Sequence, residues 1–188
     1  MAGKKVAACD DPEGREALAF EAIGRFSAYL KEQRDRYHPQ GRNLTEKERP
    51  LLQPFFSQEL LDKVRVVELS GQRLTNPPFY PEAKILGLLH LPDMTHKASA
   101  TFLDVIVFSG QLTDRGLFHA LVHAAQVHVL GERVFSELFV REVLRVQSYS
   151  LVPMKAQAYA LDARFAAHLE RPFSVEAEVR AWLDEGRY

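Results

Sequence analysis

The chain has 188 residues, which suits one domain built around a single hydrophobic core. Its formal net charge is −1 and its acidic and basic residues are interspersed, so neither nucleic acid nor an anionic membrane is an expected partner. The single cysteine, Cys9, excludes an internal disulfide, and the absence of a secretory signal and of any run of roughly 20 apolar residues leads us to expect a cytoplasmic protein.

The first part of the chain is predicted to be helical. From Pro12 onward, apolar residues recur at helical spacing, which predicts an amphipathic helix that ends near Pro39. Two shorter helices are expected to follow, with Thr45 and Ser57 as the residues that cap them.

Two segments in the middle of the chain are typical of β-strands. Residues 64–69, "VRVVEL", predict one short strand, and residues 99–110, "SATFLDVIVFSG", carry the strongest strand signal of the chain. The apolar run in the second segment predicts a strand that is buried on both faces. Between the two segments lies "LTNPPFYPEAK", whose three prolines predict a loop that leads into a short helix at about residues 82–86.

After these strands only helices are predicted. The first is "LTDRGLFHALVHAAQVHVLG", with Thr113 or Asp114 as its N-cap and Gly131 at its end. The next is "ERVFSELFVREVLRV", then "VPMKAQAYALDARFAAHLE" with Pro153 in its first turn, and last "SVEAEVRAWLDE", capped by Ser174.

These elements predict a mostly helical α+β fold, with a small β-sheet before the histidine-bearing helix. Residues 1–12 are expected to form a flexible tail and residues 13–188 a single domain. Trp182, on the last helix, is expected to belong to the core. Phe79 and Tyr80 are expected to pack structurally, and a role at a cleft is the alternative.

The segment "FHALVHAAQVHVLG" carries two histidines four residues apart. Because each residue of an α-helix turns by about 100°, His119 and His123 lie on one face and are able to bind one zinc ion together. Gln126 shares that face, whereas His128 projects from the other side of the helix. In an H-E-x-x-H site a glutamate follows the first histidine and acts as the general base, but here Ala120 stands there. The alternative is a pair of ordinary core histidines.

The order of the elements around this pair resembles that of zincin metallopeptidases. A buried strand, a helix with H-x-x-x-H and further helices follow one another over residues 99–165. More specifically, the segment is similar to small bacterial zincin-like proteins that read "HELVHxxQ…LG" and then "P-x-E-x-E-A-Y". The positions that match are His119 and His123 for the metal ligands, Gln126 for the glutamine, and Pro153, Ala158 and Tyr159 further along.

The chain departs from this pattern at the positions that carry the chemistry. Ala120 replaces the general base, which typically contributes about 10²- to 10⁴-fold in rate. Lys155 and Gln157 stand where acids are expected; a protonated lysine is unable to ligate a metal, and an amide oxygen is a poorer zinc ligand than a carboxylate. We therefore expect a catalytically inactive zincin-like domain with a binding or structural role and no cofactor, with zinc at His119 and His123 as the alternative.

Lys155 leads to a sharper hypothesis. If its helix packs across from the histidines, its ammonium occupies the position of the metal, and neutral His119 and His123 accept hydrogen bonds from it. The alternative is a surface lysine on an amphipathic helix. For an inactive domain, the expected partner is a peptide or protein segment lying along the exposed edge of the sheet. The oligomeric state stays open.

Two other functions stay open. One is a metal-dependent hydrolase that uses His119 and His123 with an unconventional third ligand and another base. The other is a structural or interaction protein whose histidines belong to the core. The candidate bases are Glu82 and Asp104, and the candidate ligands in the loop "HLPDMTHKAS" are His90, Asp93 and His96, although a polar loop in which Asp93 makes a turn is the simpler interpretation.

Overall fold

The computed structural model describes residues 12–85, 91–146 and 151–188. The described residues form eight α-helices and three β-strands: α1 (Pro12–Tyr37), α2 (Glu48–Leu52), α3 (Gln58–Lys63), β1 (Arg65–Glu68), α4 (Tyr80–Ile85), β2 (Ser99–Phe102), β3 (Val105–Phe108), α5 (Asp114–Leu130), α6 (Glu132–Val146), α7 (Pro153–Ala167) and α8 (Val175–Asp184). The predicted α+β class, mostly helical with a small sheet, is confirmed. Apart from Pro12, which begins α1, the predicted tail and its Cys9 lie outside the described residues.

The sheet has the strand order β1-β3-β2, with β3 in the centre and buried along its whole length. β1 pairs with β3 in parallel and β2 pairs with β3 antiparallel. The prediction of one strand over residues 99–110 is therefore wrong, because that segment is a hairpin. Its turn consists of Leu103, at a φ of 59°, and Asp104, which accepts hydrogen bonds from Arg34 at 2.9 and 3.1 Å. This turn lacks the glycine or asparagine that usually marks a hairpin, and tertiary contacts hold it instead.

The helix α5 begins and ends where its sequence predicts. The Thr113 side chain accepts a hydrogen bond from the Gly116 amide, and Gly131 ends the helix with a φ of 75°, which costs glycine little. Elsewhere, Ser57 and Ser174 cap α3 and α8 as predicted, and Thr45 exchanges hydrogen bonds with Glu48 in a capping box before α2.

The core fixes the position of α5. This helix packs against β2 and β3 on one side and against α7 and α8 on another. Phe118 of α5 stacks on Phe165 of α7 with 4.1 Å between ring centroids, and the Thr101 hydroxyl of β2 donates to the Ala120 carbonyl at 2.9 Å. The face of α5 that carries the histidines is thereby set against α7.

The position of Trp182 on α8 differs from the prediction. Trp182 is only partly buried, and the Arg187 guanidinium lies 3.8 Å from the centre of its ring, so the predicted core position is wrong. The last residues of the chain fold back onto α8, and this return covers the indole.

Among the helices described, none is long and apolar enough to cross a bilayer.

Candidate functional site

His123 is buried, and both of its ring nitrogens have partners. Nδ1 lies 2.8 Å from the side-chain oxygen of Gln126, and Nε2 lies 2.9 Å from Nζ of Lys155. Because an amide oxygen only accepts, Nδ1 carries the ring proton, and Nε2 is left to accept from the ammonium. Burial, and then the charge of Lys155, hold the pKa of His123 well below its ordinary value, so this ring is neutral at pH 7.

Lys155 is directed toward the histidines by this contact. The first turn of α7 carries it across from α5, where it is partly buried and lines the cavity between the helices. The predicted hydrogen bond to His123 is confirmed, and the alternative of a solvent-exposed lysine is wrong. Burial lowers the pKa of Lys155 from 10.5 to about 8, because the apolar surroundings disfavour its charged form.

His119 forms its hydrogen bond through Nδ1. That atom lies 2.7 Å from a carboxylate oxygen of Asp162, whose other oxygen accepts from Arg115 at 2.7 and 3.2 Å. Burial and the charge of Lys155 lower the pKa of His119, and Asp162 opposes this shift. The neutral ring therefore donates from Nδ1 to Asp162, and Nε2 is left as an acceptor.

Asp162 was missed in the sequence. It is buried, at 4% exposure, and it is the acidic partner of the first histidine. A signal was present: Lys155, Tyr159 and Asp162 are spaced by four and three residues, which places them on one face of α7. Tyr159, although half-exposed, lies on the same side as the histidines, with its ring centroid 4.8 Å from that of His119. We call His119, His123, Lys155 and Asp162 the histidine–lysine cluster.

Gln126 and Gln157 form a buried amide network behind the cluster. Gln126 contacts His123 as predicted, and its amide nitrogen donates to the Met154 carbonyl at 3.0 Å and to the Gln157 side-chain oxygen at 2.9 Å. The same Gln157 oxygen accepts from the Tyr188 hydroxyl, and burial raises the pKa of that hydroxyl. Gln157 is thus engaged with Gln126, Tyr188 and the Glu178 carbonyl, and its amide oxygen is not directed at the histidines.

The other candidate ligands and bases are held elsewhere. His96 Nδ1 lies 2.9 Å from Asp93, which caps the following turn as predicted, and His90 lies outside the described residues. Glu82 pairs with Arg25, and Asp104 is held by Arg34 in the hairpin turn. Over residues 12–85, 91–146 and 151–188, no group of three or more His, Cys, Asp or Glu side chains is arranged to hold a metal ion.

A cavity of about 910 Å³ opens beside the cluster, which forms part of its wall. This volume is near the upper end of the range for drug-sized ligands, roughly 300–1,000 Å³. Phe79 packs edge-on against Tyr29, which agrees with the predicted structural role. Phe79 and Tyr80 also line the cavity, which agrees with the alternative role at a cleft. The apolar walls come mainly from α1, β2 and α6, with side chains that include Leu18, Phe26, Leu30, Phe102, Phe135, Phe139, Val140 and Val143.

Comparisons with models of protein families, with curated proteins and with solved structures find no match to this chain. The resemblance to zincin-like proteins therefore rests on the motif residues and on the order of the elements.

Zinc fits these residues poorly. His119 and His123 offer two imidazoles, but Nε2 of His123 already accepts a hydrogen bond from the ammonium of Lys155. Asp162 is hydrogen-bonded to His119 and Arg115. A structural or catalytic zinc site needs at least three protein ligands, and it is not built around a cation.

Proposed function

We propose that this chain is a metal-free, catalytically inactive zincin-like domain that binds a largely apolar ligand in its cavity. The observation that carries this proposal is the 2.9 Å hydrogen bond from Lys155 Nζ to His123 Nε2. A positive charge is thereby retained at the histidine pair, while the capacity to activate a water molecule is lost with the metal.

The outer partners of the histidines support this ancestry. In metal sites, a ligating histidine almost always donates its second ring nitrogen to a carboxylate or another oxygen acceptor. His119 does so to Asp162 at 2.7 Å and His123 does so to Gln126 at 2.8 Å. Both rings thus make the outer hydrogen bonds that are typical of zinc-binding histidines, and Lys155 stands where an acidic metal ligand is expected.

The cavity supports a binding role. Its walls are mostly apolar, with polar groups at the histidine–lysine cluster and a second, charged group around Arg25, and small-molecule sites typically combine apolar walls with a small number of polar groups. β2, an edge strand of the described sheet, lines the same cavity with all four of its residues. This edge favours a second candidate ligand, a peptide or protein segment that pairs with β2 and inserts an apolar side chain.

Metal uptake tests the first part of the proposal. In equilibrium dialysis against zinc chloride at pH 7.5, we expect the wild-type protein to bind no zinc at the histidine pair. The double variant A120E/K155E, which restores both acids, is expected to bind one ion, and adding H119A is expected to abolish this binding. The matched control H128A changes a histidine on the other side of α5 and leaves uptake unchanged. One zinc ion bound by the wild type and lost in H119A would favour the metal-dependent hydrolase.

Ligand binding tests the second part. We expect the neutral dye Nile red to bind the wild-type protein with enhanced fluorescence. Ala22 of α1 lines the cavity, so A22F fills part of it and weakens binding. Ala28, on the exposed side of the same helix, provides the control A28F, which binds as the wild type does. Equal binding by both variants would place the dye outside the cavity.

A further inference from the structure

We propose that the ligand of the cavity is a lipophilic alcohol or phenol, whose hydroxyl group donates a hydrogen bond to Nε2 of His119. Its hydrocarbon part then lies against the apolar walls. This inference rests on the proposed function and names the chemical class of the ligand.

Nε2 of His119 is an accessible hydrogen-bond acceptor in the wall of the cavity. Nδ1 donates to Asp162 at 2.7 Å, which leaves the lone pair of the neutral ring at Nε2. The His119 side chain is 18% exposed and lines the cavity. Within the described part of the chain, the only buried side-chain nitrogen or oxygen atoms without a hydrogen-bond partner are Ser136 Oγ and Glu176 Oε2. Nε2 of His119, which also has no partner among the described residues, therefore belongs to the accessible surface of the ring.

The neighbouring ring of His123 does not offer such an acceptor. The two rings lie edge-on, with 5.1 Å between their centroids. Nδ1 of His123 donates to Gln126, and its Nε2 already accepts from Lys155. Both nitrogens of His123 are thus engaged within the protein, and His119 is the ring of the pair that has an acceptor to offer a ligand.

A hydroxyl suits this acceptor better than other donors do. Transfer of an ion from water into an apolar cavity costs far more than transfer of a neutral hydroxyl, and an amide brings a carbonyl that needs a donor of its own. The walls include aromatic rings from α1, α4 and α6, among them Phe26, Tyr80 and Phe135, against which a hydrocarbon chain or an aromatic ring packs. The volume of about 910 Å³ accommodates such a molecule beside His119.

Two pairs of ligands isolate the donated hydrogen bond: decan-1-ol with 1-methoxydecane, and 4-hexylphenol with 4-hexylanisole. Each ether keeps the oxygen atom as an acceptor but has no donor. Because the ether is the more apolar member of each pair, hydrophobic transfer alone predicts that the ether binds more tightly. We expect the reverse order for the wild type at pH 7.0, with the hydroxyl compound bound about 5- to 50-fold more tightly in Nile red displacement and in calorimetry.

Variants assign the effect to His119. H119F keeps an aromatic ring but has no acceptor, so it is expected to bind the ethers and to lose the preference for the hydroxyl compounds. H128F makes the same change on the other side of α5 and is expected to keep the preference of the wild type. Binding of the ethers shows that H119F is folded.

A second measurement uses the wild-type protein alone and keeps the test decisive if H119F does not fold. In protein labelled with nitrogen-15 histidine, the magnetic resonance signal of Nε2 of His119 is expected to move upfield when a hydroxyl compound is added. Addition of the matching ether is expected to leave this signal unchanged, because the ether has no hydrogen to donate.

The outcomes separate this inference from the proposed function. A hydroxyl preference in either pair supports the inference, and the pair with the larger preference identifies the ligand as an alcohol or a phenol. Equal or tighter binding of the ether in both pairs overturns the hydroxyl and leaves the apolar cavity standing. A hydroxyl preference that persists in H119F overturns the role of His119. Failure of Nile red and of all four compounds to bind overturns the proposed binding function itself, and this inference with it.

Discussion

Replacing Lys155 with methionine tests whether a buried ammonium is present at the histidine pair. Met fills a similar volume but has no charge, so K155M removes the titration of this site. In the folded wild type the pKa of Lys155 is about 8, whereas in the unfolded chain it takes its ordinary value of 10.5. Between these two pH values the unfolded state binds more protons than the folded state, so the free energy of unfolding of the wild type rises with pH.

The magnitude follows from the two pKa values. At pH 7 the folded state bears the cost of holding a charged lysine, on the order of 3 kcal/mol, and by pH 10 most of that cost is relieved. Relative to K155M, the wild type is therefore expected to gain roughly 2.5 kcal/mol of stability between pH 7 and pH 10. At pH 7 itself the two proteins are expected to be close in stability. The variant loses the buried charge but leaves Nε2 of His123 without its donor, a penalty of about 1–3 kcal/mol.

Urea unfolding at pH 7, 8, 9 and 10, followed by far-UV circular dichroism, provides the measurement. Other groups titrate in this range, but they are shared by both proteins and cancel in the difference between the two stability curves. The control K63M alters an exposed lysine and is expected to follow the wild type throughout. Parallel curves for the wild type and K155M would show that Lys155 keeps its ordinary pKa and would refute the reasoning.

Two further predictions concern the side chains that orient the histidines. D162N removes the negative charge that pairs with both His119 and Arg115, and we expect it to lower the free energy of unfolding by about 1–3 kcal/mol. Urea unfolding measures this loss, and D184N, at the exposed Asp184 of α8, is the control. An equal effect of D184N would contradict a specific role for Asp162. Q126L leaves the Nδ1–H group of His123 and the Met154 carbonyl without partners, so a loss of about 3 kcal/mol is expected. Q58L, at an exposed glutamine of α3, is its control, with an expected change within about 0.5 kcal/mol in the same assay.

The elements that local signals define were predictable from the sequence. Thr113 and Gly131 mark the ends of α5 because a capping hydroxyl and a positive φ act within a few residues. The common face of His119 and His123 follows from helical geometry alone. The contact between Lys155 and His123 was predictable because the order of the elements placed α7 across from α5.

What depends on tertiary contacts was not predictable. The turn at Leu103 carries no glycine signal and is held by Arg34, 70 residues away in sequence from Asp104. Asp162 looks like any acidic residue of a helix until the packing of α7 on α5 brings it to His119. The cavity is formed by side chains from α1, α4, β2, α5, α6 and α7, and no local pattern records how these elements surround a common space.

Crystallography with anomalous scattering tests the central claim most directly. Crystals of the wild-type protein grown with zinc chloride at pH 7.5 are measured above and below the zinc absorption edge. We predict no anomalous peak within coordination distance of Nε2 of His119 and Nε2 of His123, and electron density for the Lys155 ammonium beside His123. A zinc peak between the two rings, with Lys155 turned away from them, would contradict the replacement of the metal by lysine.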